Sequence, residues 1–173
     1  MASAQEYLAR GVESTKELVE RYLKGFTDQN RAAQAASLPN HVAWSLGHLA
    51  HTMHRVAGFF DGGPLPADAL LEGKTTGDAR AFGTEGVCFG STPSADASTY
   101  PGLARCVETF EGGCDRLARA LRAATDADLE RTVPWGAGQQ TLAMLAFRMV
   151  FHNGMHAGQI ADLRRALKMG SIM

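Results

Sequence analysis

Apolar and polar positions along the 173-residue chain alternate with helical spacing in four long stretches. The first covers about Ser3 to Asp28, with Tyr7, Leu18, Val19, Tyr22, Leu23 and Phe26 as its apolar positions. The second opens at "LPNHVAW", where Pro39 suits a first helical turn and Asn40 is a good cap. It stops near Gly62, Gly63 and Pro64. The third runs from about Ser98 and Pro101 to Ala124, and "TDADLE" after it predicts a short helix capped by Thr125 or Asp126. The fourth spans about Thr141 to Lys168, with Gly170 beyond its end. No two-residue alternation is long enough to build a sheet, and "RTVPW" reads as at most an extended connection. The pattern predicts one all-α domain over residues 1–173, a four-helix bundle. Residues 61–97, rich in Gly, Thr, Ser and Pro, form a long crossover between the second and third helices, with at most a helical turn at "PADALL".

Composition narrows the partners. The chain is 45% hydrophobic and 20% charged, with a formal net charge of -1, which is ordinary for a soluble globular protein. It has neither the basic excess nor the aromatic ladder of a nucleic-acid binder, and no basic patch for an anionic membrane. No apolar run approaches the ~18 residues of a membrane span, and the N-terminal stretch lacks the apolar core of a signal peptide. A cytoplasmic location is expected. Cys88, Cys106 and Cys114 form no C-x-x-C pair and are expected to be reduced, small apolar residues. Cys88, in the crossover, is the more accessible thiol.

The fourth helix carries the chemistry. Leu142, Leu145, Met149, Ile160, Leu163 and Leu167 mark its core stripe, and His152 and His156 fall on that stripe. Imidazoles one turn apart can aim at a single point, as a metal site requires, but H-x-x-x-H fits a hydrogen-bonded core pair equally well. Asn153 stands where an H-E-x-x-H protease has its glutamate, which excludes that chemistry. Gln159 is a candidate to orient a ligand, with Arg148 and Asn153 as weaker ones; packing accounts for Gln159 equally well.

A third ligand must come from elsewhere. The second helix offers His41, His48, His51 and His54, none squarely on its stripe of Val42, Leu46, Leu49, Met53, Val56 and Phe60. Periodicity leaves His48 undecided and reads His41, His51 and His54 as surface or interface residues. Apart from the histidines, Arg55 is the one ionisable side chain between Asn40 and Phe60, so this helix is central or covered by a partner subunit. No G-x-S-x-G elbow and no P-loop is present.

"WSLGHLAH" at 44–51, "HNGMHAGQIADLRR" at 152–165 and the connecting segment 121–152 resemble the DinB superfamily. The resemblance covers most of the chain and is weakest over 61–97. It implies an up-down-down-up four-helix bundle and a homodimer. It also implies a divalent metal held by His48, His152 and His156, with zinc or nickel suiting three neutral imidazoles. Characterised relatives include thiol-dependent S-transferases and a mycothiol-dependent maleylpyruvate isomerase. The expected function is therefore metal-dependent transfer of a low-molecular-weight thiol to an electrophile. A hydrolase using metal-activated water and a non-catalytic metal-binding module are the alternatives.

Overall fold

The computed structural model describes residues 2–74, 80–170 and 172; positions 75–79 of the crossover lie outside the described residues. The four long helices are α1 (Ala4–Tyr22), α2 (Val42–Asp61), α4 (Leu103–Ala123) and α6 (Leu142–Ala166). Two short helices, α3 (Thr84–Val87) and α5 (Asp126–Glu130), sit in the connections. The helix starts follow capping chemistry. Ser3 caps α1, Thr125 closes a capping box with Asp128, and Thr141 accepts from the Met144 N–H at the start of α6. The first helix ends six residues before its predicted limit, and Gly25 takes the left-handed φ of 89° just beyond it. Arg164, buried on α6, donates to the carbonyls of Tyr22 and Lys24 that α1 leaves unpaired at this end.

Each long helix meets specific partners. Gly11 of α1 rests on Val150 of α6, Thr15 accepts from Asn153, and Tyr22 meets Arg164. Lys16 pairs with Asp115 at 2.7 Å and Arg122 with Glu13 at 2.6 Å, joining α1 to α4. Gly113 of α4 lets Met53 and the Ala50 carbonyl approach to about 3 Å of where a Cβ would stand, so α2 and α4 pack closely. Asn40, just before α2, reaches Gln159 of α6, and His48 of α2 reaches His152.

The second helix is the centre of this packing. Every residue from Val42 to His54 is buried. Burial within one chain thus accounts for its scarcity of charge, without a partner subunit over it. The same burial corrects the expectation for three histidines. His41, His51 and His54 are not surface residues; each is less than a tenth exposed. His41 is the cap of α2: its Nδ1 accepts from the Trp44 N–H and its Nε2–H donates to the Ser94 carbonyl at 2.9 Å.

Two short ribbons depart from the expected absence of strands. In the crossover, β1 (Leu70–Leu71) pairs in parallel with β2 (Phe82–Gly83). The predicted turn at "PADALL" forms, with the Ala69 and Leu70 amides bonded to Pro66, and leads into β1. Before α6, β3 (Thr132–Trp135) and β4 (Gly138–Thr141) make an antiparallel hairpin around Gly136, whose φ is 61°. "RTVPW" is thus one arm of a hairpin. Its Trp135 lies under the Arg55 guanidinium, 4.9 Å from the ring centre.

Candidate metal centre

Three imidazoles converge where α2 faces α6. His48, His152 and His156 each present a ring nitrogen within 4.8 Å of the other two. The ring centres are 5.1 Å apart for His48–His152 and His48–His156, and 4.8 Å for His152–His156. The last pair follows from the i, i+4 spacing, which stacks side chains on one face of α6.

His48 has a defined tautomer. A carbonyl can only accept, so its Nδ1–H donates to the Val87 carbonyl at 2.8 Å, leaving the Nε2 lone pair aimed at the cluster. That Nε2 is 3.2 Å from Nε2 of His152. Two imidazoles on a tetrahedral zinc, with bonds of about 2.0–2.1 Å, would place their nitrogens about 3.3 Å apart. Trp44, one turn before His48, lies parallel to its ring at 4.8 Å and 5°.

Burial keeps the cluster uncharged. It lowers the pKa of His48 against the opposing pull of the Val87 carbonyl. His152 is brought down to about 3 by burial and then by His156, His48 and Arg148. His156 is lowered to about 4 by burial and by His48, with Gln159 acting the other way. At neutral pH all three rings are therefore neutral donors. Nδ1 of His152 and Nδ1 of His156 are buried without a hydrogen-bond partner. A core pair satisfied by hydrogen bonds would not leave these atoms orphaned. An all-imidazole donor set with no carboxylate in the cluster, among the described residues, fits a divalent-metal site.

The remaining candidates separate clearly. Gln159 accepts from Asn40 at 3.2 Å and stands beside His156. Arg148 is exposed and lies over Phe151. Asn153 is fully buried and donates to Thr15 and Cys114, so it ties α6 to α1 and α4 and takes no part in the cluster. Burial drives the Cys106 thiol up to about 12 and raises Cys114 as well, so both are inert. Cys88 is half-buried and lines a cavity of about 570 Å³ with Lys74, Glu85, Ser91, Thr99 and Tyr100. No clustered histidine lines this cavity; its Ser91 accepts from the Trp44 indole at 3.0 Å. Sequence reasoning missed Val87, since a backbone carbonyl has no residue signature. Trp44 could have been found from its place one turn before His48.

Comparison with known proteins agrees with this architecture. The crystal structure of a conserved protein from Enterococcus faecalis is similar to the chain with a TM-score of 0.73 at 16% identity, over 96% of this chain and 98% of that one. At that identity the likeness concerns the fold. No curated protein sequence matches the chain. The family model described as the DinB superfamily matches residues 12–160, which include all three clustered histidines, and the chain belongs to that superfamily.

Proposed function

We propose that this protein is a metal-dependent transferase that uses a low-molecular-weight thiol, with zinc or nickel held by His48, His152 and His156. The observation that carries the reading is the convergence of three neutral imidazoles, two buried and His152 half-buried, without a carboxylate among them. A divalent ion there would supply Lewis acidity and lower the pKa of a thiol brought to it. The chain does the rest. Val87 and Trp44 hold His48 in one orientation, and burial keeps the rings unprotonated. Three protein ligands leave room for an exogenous one. The same three donors would also serve a hydrolase that uses metal-activated water, and thiol binding separates the two readings.

Protein reconstituted with zinc, nickel or cobalt should bind small thiols. In the cobalt form this appears as a sulfur-to-metal charge-transfer band. Thiol-dependent product should form with 1-chloro-2,4-dinitrobenzene. Metal uptake without thiol binding or transfer refutes the reading and leaves a metal that serves the fold alone.

The same proposal includes one domain over residues 1–173 with up-down-down-up helices. The contacts support it: they advance together along α1 and α6, and run oppositely along α1 and α4 and along α2 and α6. A cytoplasmic location is supported by three free cysteines. No helix among the described residues is long and apolar enough to cross a membrane.

The proposal also includes a homodimer, through α6. Met144, Phe147, Phe151 and Met155 are each at least half exposed on one face of that helix. Crossing two copies antiparallel with Met155 on the two-fold axis sets Arg148 opposite Asp162 of the second copy and Phe151 beside its Gly158. The wild type should sediment at twice 18.5 kDa. Met155→Glu should be monomeric. Arg148→Glu should weaken the dimer at least tenfold and Asp162→Arg in the same chain should restore it; a monomeric wild type ends this part of the proposal.

A further inference from the structure

We infer that Gly47, Phe82 and Val87 act together as a positioning device for His48, fixing which of its ring nitrogens carries the proton and where the other points. Gly47 lies inside α2, where glycine is a poor helix former. Its reason is the crossover. A Cβ at this position would stand 2.6 Å from two ring carbons of Phe82 and 2.8 Å from a methyl of Val87. The crossover therefore rests directly on the α2 backbone, one residue before the histidine.

That seat is itself held firmly. Phe82 is fully buried and its N–H donates to the Ala69 carbonyl at 2.8 Å beside the β1–β2 pairing. At Gly83 and at Gly86 a Cβ would fall 2.4 Å from the Lys74 carbonyl oxygen, so the end of β2 and α3 pack directly on the Lys74 backbone. The end of α3 then delivers the Val87 carbonyl to Nδ1 of His48 at 2.8 Å. A second constraint has the same origin. Trp44, stacked on the other side of the ring, is fixed by its hydrogen bond to Ser91 of the crossover. His152 and His156 share one rigid helix, whereas His48 takes its aim from a segment 34 to 43 residues further along the chain. Gly47, Phe82 and the Val87 side chain touch no reacting atom and are positioning residues. A hydrogen bond to the far nitrogen of a ligating histidine sets its orientation and basicity, and losing it commonly weakens metal binding 10- to 100-fold.

The test compares wild type, Gly47→Ala, Phe82→Leu and the control Gly112→Ala, whose added methyl meets nothing within 4 Å. Imidazole NMR of the metal-free protein should show a slowly exchanging His48 Nδ1 proton in wild type and control. That proton should be lost, or exchange at least tenfold faster, in Gly47→Ala and Phe82→Leu. Zinc affinity, read by chelator competition, should fall 10- to 100-fold in those two variants, with helical circular dichroism retained. If Gly47→Ala does not fold, Phe82→Leu carries the test. A protected Nδ1 proton and unchanged zinc affinity in either folded variant overturn the inference. The affinity arm rests on the metal-centre reading, and the proton arm does not. Wild type that binds no zinc yet keeps the protected proton, lost on Gly47→Ala, refutes the metal centre and supports the positioning device.

Discussion

Replacing His152 by leucine is expected to lower zinc affinity at least a hundredfold without destabilising the metal-free protein. The two effects have separate causes. The site has three donors, and removing one leaves His48 and His156 on different helices as a two-donor site. The metal-free protein loses the contact between Nε2 of His152 and Nε2 of His48, and this is offset because Nδ1 of His152 is buried without a partner and leucine replaces that orphaned atom with apolar volume. Chemical denaturation with a chelator present should place His152→Leu within about 1 kcal/mol of wild type, or above it. His48→Leu should behave differently. It abolishes the same affinity but also strands the Val87 carbonyl, at a cost of about 1–3 kcal/mol in the metal-free protein. Zinc at a hundredfold excess over its dissociation constant stabilises wild type by about 2.7 kcal/mol. For a chain of this size that raises the melting temperature by about 5–10 °C, and neither variant should show the shift. A His152→Leu protein that still melts higher with zinc would remove His152 from the site.

The histidines of α6 were legible in sequence and those of α2 were not, for one physical reason. The fourth helix has an inside, so Leu145, Met149 and Ile160 define a stripe on which His156 must also lie. The second helix is buried all round from Val42 to His54, so it has no stripe against which a residue can be judged. That is why His51 and His54 read as surface residues, and why His48 could be assigned only through the resemblance. Caps such as Thr125 were legible because one side chain does the work. The β3–β4 hairpin was not, since "GQQT" is polar throughout and shows no alternation. The exposed apolar row of Phe147 and Phe151 lies off the core stripe of α6 and was not singled out in the sequence. The elements that aim His48, namely Phe82 and the Val87 carbonyl, belong to a stretch that reads as loop.

Acid should unfold the metal-free protein well before its carboxylates titrate. His51 and His54 have pKa values lowered to about 4, against 6.5 for the free side chain. Burial is the leading cause for both, reinforced by Arg55 at His51 and by Arg116 at His54. Nδ1 of His54 has no hydrogen-bond partner, so nothing at that atom favours taking a proton. The unfolded chain takes up protons below pH 6.5 that the folded chain refuses until about pH 4, so stability falls across that window and levels beneath it. Each such histidine accounts for about 3 kcal/mol of the loss. Glu6, Glu13 and Asp61 are held below the usual carboxylate range by Arg122 and Arg116, and their own losses begin only below about pH 4.5. Urea denaturation with a chelator present, at half-unit steps from pH 7.5 to 4.5, should show a steep decline starting near 6.5. His54→Leu should flatten it by about 3 kcal/mol, because leucine fills a buried site without a proton to take up. Zinc should raise the whole profile without moving the onset of the decline, since His152 and His156 of the folded protein take up protons only near pH 3 and 4. A profile that stays level down to pH 5 in the chelated protein would mean that these histidines meet water in solution. The buried, uncharged character of α2, on which the metal centre depends, would fall with it.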